Sequence, residues 1–259
     1  MNLGIEGRKA LVCAASRGLG LACAGALARE GVQVCINGRD EGRLRDAASK
    51  LEASIGKRIS ILVANLTVTE DRMLVEEACK EIDILVNNNA GPPPGFLADW
   101  DDAALRAGYE QNMLPAALLI RAAMPGMRRR RFGRIVNITS AMVKSPHPQM
   151  AVSASARAAL TAFCKALSHE AAPDNVTINN LLPERIDTDR QRFMAQKIMT
   201  EAGVDLEEAR RRIAATISAK RLGTPEEFAD ACAFLCSAQA GYISGQNLQL
   251  DGGSYAGLI

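Results

Sequence analysis

The sequence predicts an α/β fold: a single domain in which a doubly wound parallel sheet carries helices on both faces. Seven short apolar runs, at 10–14, 32–36, 59–63, 82–86, 134–138, 176–181 and 247–250, alternate with longer helix-periodic stretches. The runs are apolar at successive positions and spaced widely enough for a crossover helix, which parallel strands covered on both faces require. No repeat, Ser/Gly linker or low-complexity tract divides the 259 residues. A content of 48% hydrophobic and 23% charged residues excludes a disordered chain.

The same composition excludes other classes. No apolar stretch reaches the length of a membrane span, and the N-terminus lacks the order of a signal peptide, so a cytoplasmic protein with no membrane partner is expected. Seven Cys without C-x-x-C spacing argue for reduced core thiols, with no disulfide framework and no metal site. With 31 basic and 29 acidic residues there is no overall field for nucleic acid, and the Arg128 to Arg131 run reads as the cap of a helix C-terminus.

Taken in order, the first strand enters Ala14-Ala15-Ser16-Arg17-Gly18-Leu19-Gly20 and then a helix, so backbone N–H groups and a helix N-terminus face the turn and suit a phosphate. Ala14 stands where a dinucleotide turn usually has its first Gly. The second strand ends in Asn37-Gly38-Arg39 without the acid that holds a ribose 2′-hydroxyl. Arg39 and Arg17 can instead clamp a 2′-phosphate, which points to NADP(H) over NAD(H). After the fourth strand, Pro92-Pro93-Pro94-Gly95-Phe96 predicts a rigid wall, with Phe96 and Trp100 adding apolar area for an apolar carbonyl substrate or, alternatively, forming only a stiff connection. Long helices are expected over 101–130 and 151–171. The segment 189–219 reads as a loose region, either a substrate lid or an exposed insert, with Glu207/Arg211 and Glu208/Arg212 spaced for a solvated helix. A further helix opens at Thr224-Pro225-Glu226-Glu227.

The chain resembles the short-chain dehydrogenase/reductase family over nearly its whole length, and within it the 3-oxoacyl-(acyl carrier protein) reductases. The resemblance rests on the glycine turn at 15–20, on Asn87-Asn88-Asn89-Ala90-Gly91, on Arg134-Ile135-Val136-Asn137-Ile138-Thr139-Ser140, on Asn112, on Asn179-Asn180-Leu181-Leu182-Pro183 with Ile186 and Thr188, and on Ile243-Ser244-Gly245-Gln246 through Asp251-Gly252-Gly253. It implies a Rossmann-like fold and a cofactor site at Ala14, Ser16, Arg17, Gly18, Leu19, Arg39, Asn65, Leu66, Asn88, Asn89, Ala90, Gly91, Arg157, Pro183, Glu184, Ile186 and Thr188. It also implies a small-molecule carbonyl or alcohol substrate, and a homotetramer that pairs the two long helices, whose Ala116-Ala117 and Ala158-Ala159 permit close packing. The Asn-Asn-Ala-Gly motif reads in two registers, as Asn87 to Ala90 or as Asn88 to Gly91.

The departures lie in the catalytic set. The family's Tyr falls 13 residues after the Ser, with a Lys four further on, and these positions hold Ser153 and Arg157. A serine hydroxyl is far less acidic than a phenol, and an arginine does not release a proton at neutral pH. The candidate catalytic residues are therefore Ser140, Asn112, Ser153 and Arg157, with Lys144 first and His147 second as the replacement proton source. Glu184 replaces the family's Gly after Pro183, with Arg185 expected to neutralise it. The expected activity is NADP(H)-dependent oxidoreduction of a carbonyl/alcohol pair. The alternatives are a non-redox isomerase or lyase on the same fold, or a catalytically silent NADP-binding protein.

Overall fold

The computed structural model describes residues 2–258. The strands are β1 Lys9–Val12, β2 Gln33–Gly38, β3 Ser60–Val63, β4 Ile84–Asn87, β5 Gly133–Ile138, β6 Val176–Pro183 and β7 Asn247–Leu250. They form one parallel sheet in the order β3-β2-β1-β4-β5-β6-β7, and each expected apolar run overlaps one of them. The helices are α1 Gly18–Arg29, α2 Glu41–Ile55, α3 Thr69–Cys79, α4 Asp102–Asn112, α5 Leu114–Arg129, α6 Ala151–Ala171, α7 Asp189–Ala202, α8 Leu206–Ala215 and α9 Pro225–Cys236.

Alternation along the strands divides the core into two layers. Ala10, Val12, Ile36, Val86 and Val136 pack with Leu27 of α1, Leu44 of α2 and Phe228 of α9. Leu11, Leu85, Ile135 and Ile178 pack on the other face with Val75 of α3, Ile120 of α5 and Leu160 of α6. Each large side chain so buried contributes about 1.5–3 kcal/mol. The helix starts are fixed locally. Asp40 and Asp101 accept from Arg43 N and Ala104 N at 3.0 and 2.8 Å, and Thr224 and Glu227 form a reciprocal capping box at 3.1 and 2.8 Å. The arginine run does close the end of α5: Arg128 pairs with Glu170 and Asp174, Arg130 with Asp83, and Arg131 with Asp174. All seven cysteines are free thiols. Among the described residues no helix is long and apolar enough to cross a membrane.

Two expectations are corrected. The helix expected over 101–130 is two, α4 and α5, which meet at Met113 (φ −117, ψ −59). Pro115, in the first turn of α5, cannot donate to the carbonyl four residues back, that of Gln111. That carbonyl instead accepts from Asn89 Nδ2 at 2.8 Å, so the break ties the helix to the loop after β4. The segment 189–219 is ordered as α7 and α8, which share a small core of Ala195, Ala209 and Ile213. In α8, Glu208 holds both Arg211 and Arg212, and the Glu207–Arg211 pair does not form among the described residues.

A polar ladder crosses the sheet. Parallel register sets Asn87, Asn137, Asn180 and Asn247 side by side on β4, β5, β6 and β7. Each Nδ2 donates to the next Oδ1, at 2.9, 2.9 and 2.8 Å. Asn137, fully buried, also donates to Cys164 Sγ of α6 at 3.2 Å. Asn137→Ala strands partners on both sides, and urea unfolding is expected to show a loss of about 2–4 kcal/mol. Asn247→Ala, at the sheet edge, is expected to lose less than about 1 kcal/mol.

Candidate active site

The parallel strands place all their C-terminal ends on one edge, and the order reverses between β1 and β4, where open α/β sheets bind ligands. The turn from β1 to α1 closes tightly. Ala14 takes the left-handed conformation (φ +46) that its position demands, at about 1 kcal/mol relative to Gly. A Cβ on Gly20 would lie 2.7 Å from Ala14 O, so that position requires Gly. Arg17, the N-cap of α1, makes no side-chain cap, which leaves the first-turn N–H groups facing a cleft of about 810 Å³. Orphan donors at the positive end of a helix suit an anionic phosphate.

This cleft holds nearly all the predicted cofactor residues. Ala14, Ser16, Arg17, Gly18 and Leu19 line it from the turn, Arg39 from the end of β2, and Asn65 and Leu66 from the end of β3. Asn88, Asn89, Ala90, Gly91 and Thr188 complete it. Asn88 Nδ2 donates to Ala14 O at 3.3 Å, joining the loop after β4 to the turn. The two registers of the asparagine motif are thereby separated: Asn87 is spent on the ladder, and Asn88 to Gly91 line the cleft. Arg17 spans to Asp189 of α7 at 3.2 Å. Arg39 has no ion-pair partner among the described residues. Among the lining residues that escaped sequence reasoning are Asp40 and Arg43, which pair with each other at 3.3 Å.

A second cleft of about 540 Å³ adjoins the first and shares the wall Asn88 to Gly91. Ser140, Ser153, Arg157, Pro183, Glu184, Ile186 and Thr188 line it. Arg157 is pinned by the strand it faces, donating through Nη1 to Thr139 O at 2.8 Å and Ile138 O at 3.1 Å. Its Nε donates to Ser153 Oγ at 3.2 Å, Ser153 donates to Asn112 Oδ1 at 3.4 Å, and Asn112 Nδ2 donates to Ala90 O at 3.0 Å. Asn112 thus reaches the site from the end of α4 as a buried link behind Ser153. Gly91 passes close over this chain: a Cβ there would lie 3.3 Å from both Ser153 Oγ and Asn112 Oδ1. Burial pushes the Arg157 guanidinium down to about 10, with repulsion from Arg190 adding to it, so it stays charged at neutral pH. Ser140 Oγ accepts from Met142 N at 3.2 Å, and its O–H has no acceptor among the described residues.

Other candidates point elsewhere. Lys144 Nζ lies 5.3 Å from the centre of the Tyr255 ring and is not part of either cleft wall. His147 does line the second cleft, and its Nδ1 accepts from Gln149 N at 3.4 Å, which leaves Nε2 as the protonated nitrogen of the neutral ring. Pro92 and Pro94 contribute to the wall, but Phe96 is exposed to solvent, and Trp100 packs across Gly95. Glu184 and Arg185 both line the cleft without forming an ion pair among the described residues. Met142, Met150, Arg190 and Gln191 also line it, which the sequence alone did not show. Asp187, just before α7, is gripped by Arg210 of α8 at 2.6 and 3.0 Å, and that hydrogen bonding holds its carboxyl below the usual range.

The enoyl-(acyl carrier protein) reductase family profile matches residues 13–255. The chain belongs to the short-chain dehydrogenase/reductases. It is 31% identical over 252 residues to the NADPH-dependent reductase BacG of Bacillus subtilis (95% of this chain, 97% of the relative). It is 33% identical over 256 residues to the 3-oxoacyl-(acyl carrier protein) reductase FabG of Vibrio harveyi (98% and 99%). Among solved structures, L-sorbose reductase from Gluconobacter frateurii, complexed with NADPH and L-sorbose, superimposes with a TM-score of 0.94 at 30% identity, with both chains covered completely.

The depressed guanidinium defines a test of this site's dielectric. A lysine substituted at 157 enters the same desolvated setting beside Arg190 and should titrate well below its usual value of about 10.4. NMR titration of lysine-labelled Arg157→Lys measures it. An ordinary titration would show that water reaches position 157.

Proposed function

We propose that the chain is an NADP(H)-dependent oxidoreductase that interconverts a carbonyl and an alcohol through an active site built on Ser and Arg in place of Tyr and Lys. The observation that carries the proposal is the shared wall: Asn88 to Gly91 separate a phosphate-binding cleft from a pocket lined by Ser140, Ser153 and Arg157. The NADPH-dependent relatives support the cofactor. So does the end of β2, where Asp40 is held by Arg43 while Arg39 keeps its charge available for a 2′-phosphate.

Bound NADPH supplies the hydride that the carbonyl carbon accepts. Ser140 donates its hydroxyl hydrogen to the carbonyl oxygen. Arg157 stabilises negative charge as it develops there, and Ser153 and Asn112 hold Arg157 and the Gly91 loop in place. Neither Ser153 nor Arg157 yields a proton readily at neutral pH, so the proton reaches the oxygen from solvent in the cleft. The pair α7 and α8 forms the substrate lid. A homotetramer belongs to the same reading, since α4 presents Leu105 and Tyr109 to solvent beside α6.

Calorimetry tests the cofactor half without knowledge of the substrate. NADPH should bind at least about tenfold more tightly than NADH, and Arg39→Ala should abolish most of that margin. Equal binding of the two nucleotides would remove the 2′-phosphate argument. For the catalytic half, Ser153→Tyr with Arg157→Lys restores a phenol and an ammonium, and should raise turnover of simple ketones by at least about 10²-fold. No gain from that pair, with NADPH still bound, would favour a non-redox enzyme or a silent nucleotide-binding protein.

A further inference from the structure

The second cleft carries more positive charge than the chemistry above uses. Arg157 lines it without any carboxylate partner among the described residues. Arg190, the second residue of α7, lines both clefts and so stands where they meet. Its polar contact is Met150 Sδ at 4.0 Å, too weak to hold a guanidinium. The acid beside it in sequence, Asp189, is already engaged by Arg17 at 3.2 Å and Arg192 at 3.6 Å. Glu184 is the one acid lining this cleft; Arg185 lines it too, and Glu184 forms no ion pair with Arg157 or Arg190 among the described residues. Arg157 and Arg190 remain as two unpaired cations close enough to repel each other. Bringing like charges together is unfavourable unless an anion sits between them.

We propose that the substrate carries a carboxylate next to its carbonyl, and that Arg190 holds this carboxylate at the mouth of the pocket while Arg157 faces it from below. The proposal rests on the oxidoreductase reading and narrows its substrate to a 2- or 3-oxo acid and the matching hydroxy acid. The placement of the two groups follows from where Arg157 is anchored. Its Nη1 bonds Ile138 O and Thr139 O, the carbonyls immediately before Ser140, and Ser140, Arg157 and Arg190 all line the one cleft, so a small substrate offers its carbonyl to Ser140 and its carboxylate to the guanidinium groups. A planar guanidinium also matches a carboxylate through two parallel hydrogen bonds. Pro92, Pro94, Met142 and Met150 leave the rest of the pocket apolar, which suits a short alkyl remainder.

The test compares 2-oxobutyrate and acetoacetate with their ethyl esters, by NADPH oxidation and by calorimetric binding to the NADP-saturated protein. The acids should be preferred over the esters by at least tenfold in affinity and in kcat/KM. Arg190→Gln should reduce that preference by tenfold or more, and Arg190→Lys should restore a substantial part of it. Esters and acids handled alike, a preference unaltered in Arg190→Gln, or no binding of any of the four probes to protein that binds NADPH would each overturn the proposal. Loss of NADPH affinity in Arg190→Gln with the acid preference intact would assign Arg190 to the cofactor's phosphates and overturn it as well. Binding of the acids that depends on Arg190, without hydride transfer, would sustain this proposal and refute the oxidoreductase reading.

Discussion

The asparagine ladder from β4 to β7 is the constraint on which the site depends. The strands it links end in the segments that carry Asn88 to Gly91, Ser140 and Glu184. A change of register at any one pairing would turn an asparagine away from its neighbour, bury an unpaired amide and displace the loop that follows. The ladder therefore couples the cost of misregister to the placement of the side chains that line the two clefts. It also explains why polar residues occupy the centre of an otherwise apolar layer: the amides are satisfied by one another and by a thiol of α6. Asn87 Oδ1, at the head of the chain, has no partner, and Asn87 lines a recess of about 20 Å³ together with Asn112 and Arg157. That space admits one water, so the ladder ends beside Asn112 and Arg157.

A serine at 153 beside Arg157 bears on the electrostatics of the pocket as much as on its shape. A Tyr/Lys pair places an ionisable phenol beside a cation that lowers its pKa. With Ser153, the cation has no titrating neighbour to serve, and its charge acts on whatever enters the cleft. Arg157 is held in this half-buried site by two backbone carbonyls and one hydroxyl, which accept from Nη1 and Nε, and Nη2 is left toward Gly91. Glycine at 91 suits the arrangement, since a methyl group there would press on three polar atoms at 3.3–3.4 Å.

The fold was legible because its signals are local. Apolar runs specify the strands, and Thr224 with Glu227 specifies the start of α9 by chemistry confined to one turn. The cofactor cleft was legible for the same reason, being made of strand ends and a glycine turn. What escaped depends on contacts distant in sequence. Lys144 and His147 sit three residues apart on one loop, and only the packing of Tyr255 from the C-terminal segment decides which of them faces the pocket. The separation of α4 from α5 was signalled by Pro115, yet its meaning lies in Asn89 taking the freed carbonyl of Gln111 from across the site. Periodicity alone cannot report a hydrogen bond between a loop and a helix 22 residues away.

The segment 189–219 shows how the two clefts are mechanically joined. It is charge-rich on its exposed faces, and it is ordered by α7 and α8 packing on each other through Ala195, Ala209 and Ile213. Two ion pairs attach this unit to the sheet. Asp187 and Arg210 fix α8 to the end of β6, and Asp189 and Arg17 fix the start of α7 to the turn after β1. The first is bidentate and half-buried, whereas the second is exposed and worth less than about 1 kcal/mol. An anion at the turn competes for Arg17 directly, and Asp189 and Arg190 are adjacent on α7. The first turn of one helix thus borders both clefts, with Asp189 held by Arg17 and Arg190 standing where the clefts meet.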